Sequence, residues 1–235
     1  MTKNTLLACL AVTAAALAPA TSYADVAFNV GAFTDYRYRG ISQTRLKPAV
    51  QGGVDYSNGP FYLGAWASNI KWIADIGGGA DVELDLYGGV KGELAKGLSY
   101  DIGVLAYRYP GHDLAVSPNT LELYGALTYG PVTAKYSHST SNLFGFSDSK
   151  GSGYFDLSAT FEITDGWMLT PHVGRQTVKN NGAYSYTDAS LAVSKDFKGL
   201  VVSLTAVDAR TGAYFGPGGK DLGKRSLVLG AKYNF

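Results

Sequence analysis

Cysteine is almost absent from this 235-residue chain. The one copy, Cys9, lies near the start, so the bulk of the chain has no disulfide framework, no thiolate nucleophile and no cysteine-based metal site. Histidine is nearly as scarce: the three copies, His112, His138 and His172, stand isolated, and His172, which has inward parity, has no companion metal ligand in its own strand. Long apolar runs are missing too, since no segment after residue 24 approaches the ~18 consecutive apolar residues of a membrane-spanning helix. Nor is there an excess of one charge. Against 19 Asp+Glu stand 20 Lys+Arg, with no basic run, which argues against nucleic acid as a partner. What the chain has in quantity is tyrosine, 17 copies, and glycine, 30 copies.

The start reads as an export signal. Lys3 supplies a positive charge, residues 6–20 an apolar stretch, and Ser22-Tyr23-Ala24 a small-x-small cleavage site, so 1–24 is expected to be removed and 25–235 to form one domain. Leu6-Leu7-Ala8-Cys9 imitates a lipoprotein box, but no apolar region precedes it. The expected mature chain loses only Lys3 among its charges and is therefore neutral.

The remainder alternates with a period of two, the signature of strands with one apolar and one polar face. At the end of the chain Leu227, Leu229, Ala231, Tyr233 and Phe235 oppose Ser226, Gly230, Lys232 and Asn234. Val26, Phe28, Val30 and Ala32 oppose Asn29, Gly31, Asp35, Arg37 and Arg39, read as one strand. Similar faces recur over 82–91, 99–106, 121–129, 155–163 and 188–194, and less cleanly over 50–56, 61–69, 132–139, 167–176 and 200–208. That makes about twelve strands, an even number of segments near the length that crosses a bilayer at a tilt. The expected fold is all-β: a single transmembrane antiparallel up-and-down β-barrel. A closed barrel satisfies every backbone hydrogen bond within lipid, and its alternating faces keep mean hydropathy near zero.

Connection lengths alternate as well. Short Gly/Pro/Asp turns fall at 57–60, 94–97, 130–131, 164–166 and 196–199; long connections fall at 40–48, 70–81, 110–119, 142–152, 178–185 and 211–224. Short periplasmic turns and long extracellular loops are the pattern of outer-membrane barrels. Aromatics are expected as two interfacial girdles: Tyr56, Phe61, Tyr100, Tyr129, Phe161, Trp167, Phe197 and Phe235 near short turns, and Tyr36, Tyr38, Tyr107, Tyr109, Tyr136 and Tyr186 near long loops.

Strand parity aims a set of charges inward, because lipid exposure of an arginine at the bilayer midplane costs about 2–4 kcal/mol. The candidate lumen and selectivity residues are Asp35, Arg37, Arg39, Asp55, Glu83, Asp85, Asp101, Glu122, Lys135, Asp156 and Asp188. Acids outnumber bases on this face, which tilts the expected preference toward cations or neutral solutes. Asp35, Arg37 and Arg39 are read in two ways, as a charged constriction or as an internal salt-bridge ladder. Tyr233 and Phe235 form the terminal aromatic pattern that barrel-assembly machinery reads.

Residues 31–56, GAFTDYRYRGISQTRLKPAVQGGVDY, followed by FYLGAWASN at 61–69 and ELDLYGG at 83–89, closely resemble the TorF porin family of small proteobacterial outer-membrane proteins. The run DYRYRGISQT at 35–44 is the specific part, and Thr34 stands where the family pattern has Ser. The resemblance implies a porin-like barrel and names no solute.

Motifs for chemistry are thin. His138-Ser139-Thr140-Ser141-Asn142 is the one local candidate for a lipid-hydrolysing site, and it lacks the His-x-Ser-Asn-Gly order of outer-membrane phospholipase. Residues 75–81 imitate a calcium loop but do not repeat. The sequence therefore implies a non-enzymatic porin of the Gram-negative outer membrane, without metal or cofactor, passing small hydrophilic solutes and ions by passive diffusion. Its expected partners are outer-membrane lipids and lipopolysaccharide, the barrel-assembly machinery and periplasmic chaperones. A non-conducting structural or adhesive barrel, or a lipid-hydrolysing enzyme, are the alternatives.

Overall fold

In the computed structural model, residues 24–235 are described. The expected leader, apart from Ala24, lies outside them. The chain forms strands β1 (Asp25–Phe33), β2 (Ala49–Asn58), β3 (Phe61–Asn69), β4 (Val82–Ala95), β5 (Leu98–Arg108) and β6 (Thr120–Tyr129). It continues with β7 (Val132–Ser139), β8 (Gly153–Ala159, resumed at Phe161–Thr164), β9 (Trp167–Thr177), β10 (Tyr186–Phe197), β11 (Leu200–Arg210) and β12 (Ser226–Asn234).

Each strand pairs antiparallel with the next, and β12 returns to β1 through the register Val30↔Tyr233 and Ala32↔Ala231. The twelve strands thus close an up-and-down barrel with no free edge. The break in β8 falls at Thr160, whose N–H still reaches the Pro131 carbonyl beyond the end of β7 at 2.9 Å.

Turn chemistry fixes the hairpins at one end. Asp165 (φ 47°) with Gly166 (φ 75°), and Lys198 (φ 58°) with Gly199 (φ 100°), form two-residue loops of the primed kind, whose twist matches that of the flanking strands. The long connections gather at the other end. One of them carries a four-residue helix, α1 (Trp72–Asp75), whose Asp75 is ion-paired with Arg45. Among the described residues no helix is long and apolar enough to cross a membrane.

The outward face is an apolar belt: Phe28, Leu63, Ile102, Leu123, Leu191 and Leu229 are each about half exposed. Each such half-exposed side chain left in water would forgo about 1 kcal/mol, so the belt fits hydrocarbon as its solvent. The aromatic girdle at the short-turn end is present, with Phe61, Tyr129, Phe161, Trp167, Phe197 and Phe235 outward.

The expected second girdle is different. Of its six residues only Tyr136 is fully outward, at 50 % exposure; Tyr36, Tyr107, Tyr109 and Tyr186 are buried inside the barrel, and half-buried Tyr38 packs against them. Parity explains it: Tyr107 shares a face with Asp101 and Gly103, opposite outward Ile102 and Val104.

Candidate functional site: the occupied mouth of the barrel

The first strand ends at Phe33, so Asp35, Arg37 and Arg39 are not on it, contrary to the parity reading. Residues 34–48 instead fold into the lumen as a small hairpin, pairing Arg37 with Ser42 and Tyr38 with Ile41. Its tip is Arg39 (φ 47°) and Gly40 (φ 80°), the same primed turn used between strands at the other end. An arginine in the left-handed region costs of order 1–3 kcal/mol and persists only where its surroundings hold it.

Those surroundings are specific. Arg39 donates two parallel hydrogen bonds to Glu122 on β6, at 3.0 and 2.7 Å, and a third to the Gln176 side chain on β9 at 2.7 Å. Its guanidinium carbon lies 4.3 Å from the centroid of the Tyr154 ring on β8 and 4.8 Å from that of Tyr38. Burial works against this charge, but Glu122, Tyr38 and Tyr107 outweigh it, holding the guanidinium pKa above its ordinary value. A bidentate arginine–carboxylate pair in a water-poor site is the strong form of ion pair.

The rest of the 35–44 run is equally accounted for. Asp35 receives hydrogen bonds from Arg37 (2.5 Å), Ser42 (2.6 Å) and Thr44 (2.9 Å), closing the base of the hairpin. Arg37 also reaches the Leu222 carbonyl at 2.9 Å and the Ser226 hydroxyl at 2.7 Å, tying the hairpin to β12 and the connection before it. Tyr36 donates to Glu83 on β4 at 2.6 Å and packs edge-on to Trp66 of β3. Tyr38 meets Tyr107 of β5, hydroxyl to hydroxyl, at 2.6 Å, and both rings pack on Phe144.

Gly40 leaves no room for a side chain: a Cβ there would lie 2.7 Å from that of Asp188 on β10 and 2.9 Å from that of Ala209 on β11. The hairpin therefore touches strands around most of the circumference and occupies the lumen at the long-loop end.

Below it, toward the short turns, the inner face is polar and half-buried. Tyr62 donates to Asp101 at 2.6 Å and lies hydroxyl to hydroxyl against Tyr124; Tyr87 donates to Asp55 at 2.5 Å. Lys135 sits over Tyr124, 3.9 Å from the ring centroid, and Lys91 over Tyr62 at 5.5 Å. The rings lie flat against glycines of adjacent strands: a Cβ at Gly64 would come within 2.5 Å of the Tyr87 ring. This pairing accounts for part of the tyrosine and glycine abundance.

On β8 to β10, His172 stands between Asp156 (2.8 Å) and Asp188 (3.7 Å), and Tyr154 donates to Asp188 at 3.1 Å. Asp85, fully buried near Glu83, has no hydrogen-bond partner on either carboxylate oxygen.

The structure thus brings Asp35, Arg37, Arg39, Glu83, Asp85 and Glu122 together around the hairpin, Asp156 and Asp188 around His172, and Asp55, Asp101 and Lys135 in the open half. Tyr233 and Phe235 lie outward at the short-turn end with rings 4.9 Å apart. His172, Gln176 and the tyrosines Tyr62, Tyr87, Tyr124 and Tyr154 were not among the sequence candidates, although all have inward parity. His138 and Ser139 do not form a catalytic pair: His138 points outward beside Tyr136, whereas Ser139 is buried inward and donates to the Ser141 carbonyl at 2.7 Å. Among the described residues no group of three or more His, Asp or Glu is placed to hold a metal ion.

A closed twelve-strand barrel with an apolar outer belt and a charged interior defines the class, a transmembrane β-barrel with the fold of outer-membrane porins. Within that class, the chain belongs to the family described as "Bacterial protein of unknown function (Gcw_chp)", whose model matches residues 17–235. That description differs from the TorF name and carries no function. Among solved structures, the KdgM porin matches with a TM-score of 0.57 at 6 % identity, covering 89 % of this chain and 99 % of that one. The NanC porin matches at 0.56 and 11 % identity over 90 % and 99 %. The COG4313 outer membrane channel from Pseudomonas putida F1 matches at 0.50 and 10 % identity over 92 % and 96 %. Identities this low speak to fold alone. No curated protein matches the chain in sequence.

Proposed function

We propose that the protein is a porin-like channel of the outer membrane, of the TorF kind, through which small hydrophilic solutes diffuse passively once the 35–44 hairpin yields. The observation that carries this reading is the lumen itself, in which a half-buried polar inner face lies beneath a hairpin that hydrogen bonds, rather than apolar packing alone, hold in place. Moving such a plug breaks these bonds and also uncovers the apolar contacts of Tyr36, Tyr38 and Ile41, so the seated state is the resting one.

The arginines do not set the charge of the path, since Arg37 and Arg39 are neutralised by Asp35 and Glu122. Asp55, Glu83, Asp85, Asp101, Asp156 and Asp188 then face Lys91, Lys135 and Lys232, so the path favours cations and neutral solutes. One structure of similar fold is titled "KdgM porin in complex with disordered oligogalacturonate". A polyanion of that sort is a poor match for this acidic interior.

Planar-bilayer recording in a salt gradient tests the proposal. Discrete openings with a cation-selective reversal potential support it; an anion-selective potential removes the solute preference, and a barrel that never opens removes the channel. The second reading, a non-conducting structural barrel, draws on the same hairpin, and predicts that it never leaves its seat.

A further inference from the structure

The connections β7–β8 and β9–β10 form one unit at the rim of the barrel mouth. Asn180 donates to the Asp148 carbonyl and Asn181 to the Ser147 carbonyl, both at 2.9 Å, while the Lys179 amide donates to the Ser152 hydroxyl at 3.0 Å. Asp148 (φ 56°) and Asn180 (φ 59°) take left-handed turns that these bonds hold. Between the two connections opens a hollow of about 690 Å³ lined by His138, Asn142, Asp148, Lys150, Lys179 and Asn180.

Two lysines, Lys150 and Lys179, line it. Around the floor residue Gly151, the Lys179 ammonium is 3.4 Å and the His138 ring 3.8 Å from where a Cβ would stand. Lys150 and Lys179 are exposed, and among the described residues neither belongs to an ion pair; Asp148 is the one carboxylate on the rim.

Position gives the hollow its partner. His138 lies on the outward face, in register with outward Leu123 and with Gly153, and the outward residues beneath it are Tyr136, Phe155 and Val173, all about half exposed. Exposed Arg175, in register with Phe155, flanks the same strip. Cations above and an apolar strip below match, in order, the phosphate and the acyl chains of an anionic lipid standing at the long-loop side of the membrane.

We propose that this hollow seats a phosphate of an outer-leaflet phosphorylated glycolipid, with acyl chains along Tyr136, Phe155 and Val173. The proposal rests on the outer-membrane location argued above but not on conduction.

Purified protein in detergent is titrated with diphosphorylated lipid A and, separately, with its dephosphorylated form, and bound lipid is counted by native mass spectrometry. Wild-type protein is expected to retain the phosphorylated lipid selectively. Taking about a fivefold effect for each surface lysine, Lys150→Gln/Lys179→Gln should weaken retention about 25-fold. Lys198→Gln, in a turn at the opposite end, should leave it unchanged. Equal retention of the two lipids, or a double variant that binds like wild type, overturns the site. Full competition by millimolar inorganic phosphate also overturns it, since the apolar strip would then contribute nothing. Bilayer conductance of the same double variant is expected to equal that of wild type, which separates a failed lipid site from a failed channel.

Discussion

Arg39 and Glu122 lie 83 positions apart in sequence and meet in the lumen at 2.7 Å, joining the tip of the inward hairpin to the wall opposite. The pair is nearly dry, with side chains 7 % and 2 % exposed, and it is held against the backbone cost of an arginine at positive φ. A contact of this kind keeps a plug seated and can be undone by one substitution.

Arg39→Gln is therefore expected to unseat the hairpin while leaving the barrel closed, because β1 to β12 make their bonds without it. Removing one partner strands the other in a dry site, at a cost of about 3–5 kcal/mol, whereas Arg39→Gln/Glu122→Gln should cost less than the sum of the single changes. Single-channel recording should show more frequent opening in both variants, and thermal unfolding should show the non-additivity. Additive stability effects would mean that the two groups do not interact.

Gly40→Val tests the seat without touching a charge. Its Cβ would fall on those of Asp188 and Ala209 at a φ that side chains resist, so the tip must lift. Trypsin added to intact cells should then cut after Arg37 or Arg39, which it should spare in wild type. Equal protection of the two proteins would show that the tip tolerates the side chain where it stands.

Asp85→Asn addresses the most costly buried group. A carboxyl with no hydrogen-bond partner beside Glu83 is destabilising; an amide cannot ionise but keeps the unmet polar demand, so unfolding stability should rise by no more than about 1 kcal/mol. A fall in stability would place a compensating partner at this site.

Orientation follows from the connections. The expected mature chain has no cysteine, so a single one introduced at Ser147 or Pro131 reports cleanly. In whole cells an impermeant maleimide should label Ser147→Cys at once and Pro131→Cys only after the outer membrane is opened. The reverse order would invert the barrel.

Much of the fold was legible because alternation, turn residues and connection lengths are local. The strands from Val50 to Phe235 and the five long connections after Asn69 lie within a few residues of their expected places. What failed was continuity and direction. The alternation of Asp35, Arg37 and Arg39 continues that of Asn29 and Gly31, so the pattern reads on through Phe33, where the strand ends and the hairpin begins. Tyr107 and Tyr109 sit near a loop, as girdle residues do, yet their parity with Asp101 already pointed inward. Pairings such as Arg39 with Glu122 and Tyr36 with Glu83 leave no mark in a single sequence, because nothing local says that a loop turns into the barrel rather than out of it.

The most direct measurement replaces residues 37–42 by a short glycine linker and compares its conductance with that of wild type in the same bilayer. Asp35 and Thr44 are retained, so the base of the loop can still close. The expected result is a large, steadily open, cation-preferring channel in the shortened protein, against smaller or intermittent openings in wild type. Identical traces from two folded barrels would contradict the hairpin as the plug, and silence from both would contradict the channel.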